Sequence, residues 1–172
     1  MFDKSKYGYN DEQKNNIVNK GKNQNTGKPV QRDESKIFNF EKEGYRDENG
    51  IIREDLITKE AELVAKWFGE DKLTNSQLRA FFNEVKALKN KVDGKEEEFL
   101  KVYPSILLLK SKVQYRANKD GQKMKTLRDF ILKNVDQIMK ENKNGLKAGF
   151  DAFINFTIFF ETIVGYSQLS GK

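Results

Sequence analysis

Residues 146–166 read "LKAGFDAFINFTIFFETIVGY", and this stretch decides the fold. Apolar side chains fall on nearly every side of its helical wheel, the pattern of a helix enclosed by others rather than laid on a surface. Asp151, Asn155 and Glu161 interrupt the run, whereas a bilayer span needs ~20 nearly uninterrupted apolar residues. A central helix of this kind has to be covered, so the remaining chain is expected to supply amphipathic helices with one apolar stripe each.

Those helices are legible upstream. From about residue 51, turn signals at Gly69, Asp93-Gly94, Asp120-Gly121 and Asn144-Gly145 divide the chain into five helical lengths. The first, about 55–68, places Ile57, Ala61, Val64 and Phe68 on one side. The second opens with "TNSQ", where Thr74 can cap the backbone and Gln77 can reach back, a capping box. Its apolar stripe is Leu78, Phe81, Phe82, Val85, Leu88 and Val92, and Arg79, Asn83, Lys86 and Asn90 follow a neighbouring polar stripe. In the third, about 96–118, Pro104 either opens the main part of the helix or kinks it. There Ile106, Leu109, Val113 and Ala117 form one stripe, and Lys112, Arg116 and Lys119 form another. The fourth, about 122–142, turns Met124, Leu127, Ile131, Val135 and Ile138 inward, with Lys125 and Arg128 one turn apart on a different side. Strand signals are scarce. The expected fold class is all-α, a compact bundle of about five helices.

Ahead of the bundle, residues 1–50 hold only eleven apolar or aromatic side chains among Asn, Lys, Gly and Asp. So little apolar surface cannot offset the entropy of ordering a chain, and a polar, flexible N-terminal arm is expected over 1–50, with the helical domain over 51–172. The patch "KIFNF" with Tyr45 is the one place where the arm can be pinned.

Composition narrows the function. The chain has 172 residues and contains neither cysteine nor histidine, which removes thiol nucleophiles, the commonest zinc ligands and the imidazole base. Asp129 and Asp136 share a helix face, as a metal-dependent nuclease would want, but carboxylates at that spacing read first as surface charges. We therefore expect no enzyme, no cofactor and no metal. The start of the sequence, "MFDKSKYGYNDEQ", is polar and lacks the apolar run of a signal peptide, so a soluble, cytoplasmic protein without membrane attachment is expected.

The formal charge is +6, and the segment 110–133 carries all of it in Lys110, Lys112, Arg116, Lys119, Lys123, Lys125, Arg128 and Lys133 against Asp120 and Asp129. Such a local excess suits a polyanion, an acidic partner or an anionic membrane surface. The competing reading is a solvated lysine face in a chain rich in Lys, Asn and Ile. Arginine use speaks against it. Only six Arg accompany twenty-six Lys, yet Arg79, Arg116 and Arg128 fall within the helical part, and a bidentate phosphate or carboxylate contact needs the guanidinium fork. Tyr115 sits among these cations, either as a platform on which an unpaired base stacks or as a half-buried packing residue.

Three stretches together, "LTNSQLRAFFNEVK" at 73–86, "LLLKSKVQYRANKDG" at 107–121 and "FINFTIFFETIVGY" at 153–166, resemble the small subunit of the type III-A (Csm) CRISPR effector complex. The resemblance covers most of the helical part and leaves the first fifty residues out. It implies a non-catalytic five-helix protein that stacks in several copies beside the backbone and large subunits, along guide RNA and single-stranded target RNA, in antiviral defence. By matching position it carries RNA contact to Arg79, Lys112, Tyr115 and Arg116, with Arg116 or Lys119 as the distal basic residue. The charge pattern adds Lys86, Lys125 and Arg128 as candidates on the expected RNA-binding domain, 51–172. A helical adaptor whose basic groove docks an acidic protein segment remains the alternative.

Overall fold

The computed structural model describes residues 32–33 and 37–169, the last two of these by backbone alone. In chain order come α1 (Phe40–Glu43), α2 (Ala61–Glu70, entered through a π-helical turn at Leu56–Glu60) and α3 (Asn75–Val92). α4 (Glu96–Asp120), α5 (Lys125–Asn144, preceded by a 3-10 turn at Gly121–Met124) and α6 (Leu146–Leu169) complete the bundle. The described residues contain no strand, only an isolated bridge between Arg46 and Ile52. Among the described residues the all-α expectation is met by five long helices and one single-turn helix.

α6 is the centre that its composition demands. It packs against α2, α3, α4 and α5, and Phe153, Phe156, Phe159, Phe160 and Ile163 are fully buried along it. By length and composition alone, Leu146–Ser167 could cross a membrane. Its apolar side chains are instead the core of the bundle. The α5–α6 turn that brings it back depends on two glycines. Gly145 has φ +138, a conformation closed to residues with a Cβ. At Gly149 a Cβ would stand 2.9 Å from the Asn142 Cα, so the helices approach too closely there for alanine.

The surrounding helices follow their apolar stripes with two exceptions. At the entry to α2, Leu56 rather than Ile57 is buried together with Ala61. The π turn closes over five residues, so Leu56 and Ala61 share a face where α spacing would align Ile57 with Ala61. On α3, Leu78, Phe81, Val85, Leu88 and Val92 are buried, but Phe82 lies on the edge of the stripe and is only half-buried. The capping box forms as expected: the Gln77 N–H donates to Thr74 Oγ1 at 3.2 Å, and the Thr74 N–H donates to Gln77 Oε1 at 3.0 Å. Pro104 lies inside α4, which begins at Glu96. The carbonyl that Pro104 cannot bond belongs to Leu100, an exposed residue, so water can satisfy it.

Among the described residues the packed part of the chain begins before residue 51. Ile37, Phe38, Phe40 and Tyr45 are buried, and the described residues from Asp33 onward form one compact unit. The patch "KIFNF" does pin this segment. Phe40 stacks on Tyr45 at 5.0 Å and meets Phe159 edge-on at 6.0 Å. The Tyr45 hydroxyl donates to Asn134 Oδ1 at 2.7 Å, while Asn134 Nδ2 donates to the Phe130 carbonyl. Both polar groups of the buried Asn134 are thereby satisfied. Of the flexible arm expected over 1–50, residues 1–31 and 34–36 lie outside the described residues.

This segment is also held by a carboxyl in an unfavourable place. Glu60 is 4 % exposed. Its Oε1 accepts from the Asn39 N–H at 3.2 Å, but Oε2 has no hydrogen-bond partner. The nearest cation, Arg53, is 4.0 Å away and is held more closely by Asp55 at 2.8 Å and Glu43 at 3.0 Å. Burial pushes the Glu60 carboxyl up to about 7, against the Asn39 bond and the Arg53 charge. The folded chain therefore keeps a proton that an unfolded glutamate, at ~4.3, has lost. That contribution to stability is complete below the unfolded value, declines as pH rises, and is gone above about 7. Urea unfolding between pH 5 and 8 should show stability falling by up to ~2 to 3 kcal/mol, and Glu60→Gln should remove most of that slope. An unchanged slope in the variant would show that Glu60 is not the source.

Candidate nucleic-acid interface

The reversal between α3 and α4 is tight, with Asp93 and Gly94 both at positive φ, and sets the two helices side by side. On α4, Val113 and Ala117 turn inward, so Lys112, Tyr115 and Arg116, three and four residues apart, share the outer face. They meet Ala80, Phe81 and Glu84 of α3 across a cleft of about 340 Å³.

Phe81 floors this cleft. Its ring is buried, and the Arg116 guanidinium lies over it at 5.6 Å from the ring centre, a cation–π contact that orients the fork without using its N–H donors. Tyr115 is 72 % exposed, so it is not the half-buried packing residue of the competing reading. Lys112 reaches across to ion-pair with Glu84. Lys119 is exposed one turn further along the same stripe. Beside it, Gln77 Nε2 donates to Asp120 Oδ2 at 2.9 Å, tying the start of α3 to the end of α4.

The other candidates lie outside this cleft. Arg79 and Lys86 are exposed on α3, but Lys86 stands over Phe82, whose ring packs on Phe160 of α6. Lys125 and Arg128 are half-buried at the start of α5, where Asp71 caps the helix by accepting from the Thr126 N–H and hydroxyl. Arg128 is bonded to Asp129 at 2.8 Å. Acids answer further cations of the basic segment, Asp136 for Lys110 and Glu41 for Lys133. Sequence spacing thus brings Lys112, Tyr115, Arg116 and Lys119 together and leaves Arg79, Lys86, Lys125 and Arg128 elsewhere. It missed Phe81 and Glu84 as cleft residues, because nothing in the α3 sequence tells which flank faces α4.

Among the described residues no three of His, Cys, Asp or Glu converge as a metal site requires. The fold and the cleft define a small all-helical module with a charged, aromatic-floored groove between two helices. The chain belongs to the Csm2 Type III-A family, whose model matches residues 53–172. The buried residues of the N-terminal segment, Ile37 to Tyr45, precede the matched region. No curated protein and no solved structure matches the chain.

Proposed function

We propose that this chain is a non-catalytic small subunit of a type III-A CRISPR ribonucleoprotein in the cytoplasm, stacking in several copies beside the backbone and large subunits in antiviral defence. In this reading it holds guide and target RNA by their backbone, without sequence preference. The observation that carries it is the juxtaposition of Lys112, Tyr115 and Arg116 in the α3–α4 cleft. A guanidinium fork and an ammonium meet phosphates, and a neighbouring exposed aromatic ring offers any base a stacking face. Phosphate contacts position a strand but carry no sequence information. Two single-stranded RNAs of equal length, one the scramble of the other, should therefore bind within about tenfold (~1.4 kcal/mol) in fluorescence anisotropy. A larger difference would overturn the backbone-binding reading.

One feature favours a second reading. Leu108 is 54 % exposed and precedes Lys112 by one turn on the same face, as a surface that docks protein would have it. A helical adaptor for an acidic peptide would show little of the linear log–log salt dependence, ~0.7 per phosphate neutralised, that a single strand imposes.

A further inference from the structure

Glu84 is the one carboxylate among the described residues lining the cleft. It is out of place there. The two side chains of the Glu84–Lys112 pair are 33 % and 50 % exposed, so the pair contributes little to stability. The seam is already filled by the buried side chains of Phe81, Val85, Leu109 and Val113. A negative charge against the cation that would hold a phosphate opposes the binding that the rest of the cleft supports.

We propose that Glu84 is an internal competitor for phosphate. In the free chain it occupies Lys112, and an incoming strand has to exchange the carboxylate for one of its own phosphates. A single copy then grips RNA weakly, and appreciable binding needs several cleft sites acting on one strand, where linked sites multiply their affinities. Arg116 is not restrained in this way, since it rests over the Phe81 ring. Lys112 is thus a conditional contact and Arg116 a standing one. The inference rests on the RNA-binding reading.

The test is a double-mutant cycle on the full chain with an end-labelled single-stranded oligouridylate, comparing the natural protein with Glu84→Gln, Lys112→Gln and the double variant at several salt concentrations. Glu84→Gln is expected to tighten binding on the order of fivefold and to steepen the salt slope by up to ~0.7, as one released cation would. In the Lys112→Gln background the same change should gain less than about twofold, because no cation is left to release. Melting curves of all four proteins should nearly coincide, as the pair is exposed. If Lys112→Gln weakens binding but Glu84→Gln leaves it unchanged or weaker, Glu84 merely positions Lys112 and the competitor proposal fails while RNA binding by the cleft stands. An equal gain in both backgrounds would mean a diffuse field effect and would also refute it. If neither variant alters binding, the cleft is not the RNA site and both readings fall.

Discussion

Phe130→Ala is expected to lower stability by ~3 to 5 kcal/mol, at the upper end of that range. Phe130 on α5 is fully buried, and its ring is the hub of the aromatic core. It meets Phe160 at 5.0 Å, Phe159 at 5.4 Å and Phe156 at 5.8 Å on α6. It also meets Phe38 of the N-terminal segment and Phe68 of α2, each at 6.3 Å. The void left by truncation cannot close, because its walls belong to elements fixed by other contacts, and the cost grows with the residual cavity. Phe82→Ala is the informative comparison. By sequence Phe82 belongs to the buried stripe of α3, but it is half-buried and has one ring neighbour among the described residues, Phe160 at 5.6 Å. Its truncation should cost only ~1 to 2 kcal/mol, by partial loss of the burial term. Equal costs in urea denaturation would contradict this account of the core.

The second large effect concerns binding rather than stability. Changing Lys112, Arg116 and Lys119 together to Gln should reduce the salt slope of RNA binding by up to roughly two units, at ~0.7 per charge, with a similar loss across RNA sequences. All three residues are exposed, so helix content and melting should stay almost unchanged. The main structural loss is the contact of Arg116 with Phe81, worth ~0.5 to 1 kcal/mol at an exposed site. Lys112 should contribute less than a full charge while Glu84 holds it. Unchanged affinity and slope would mean that the stripe is a solvated face and that the cleft assignment is wrong.

What the sequence reveals is set by how local the deciding interactions are. The enclosing helices were legible because their stripes repeat at helical spacing: Met124, Leu127, Ile131, Val135 and Ile138 are all fully buried. The cap of α3 was legible because Thr74 and Gln77 act within one turn. Three features were not. The π turn at Leu56–Glu60 shifts the phase of one helix by a residue, and no residue type announces it. The N-terminal segment is polar on average, and its buried Phe38, Phe40 and Tyr45 find partners far along the chain, Tyr45 at Asn134 being 89 residues away. Such pairing has no periodic signature. In the cleft, spacing along α4 was sufficient to gather Lys112, Tyr115, Arg116 and Lys119. The rotation of α3, which turns Glu84 rather than Arg79 or Lys86 toward them, is fixed by packing of Phe81 and Val85 into the core.

Ultraviolet crosslinking of the complex assembled in its native cells, followed by mapping of the peptides that carry nucleotide, tests the central claim most directly. The account predicts that this chain co-purifies with larger subunits and a short RNA. It also predicts crosslinks concentrated on the α4 face that holds Lys112, Tyr115, Arg116 and Lys119, and lost selectively when these are replaced. Purification without RNA, or crosslinks confined to other faces of the bundle, would contradict it.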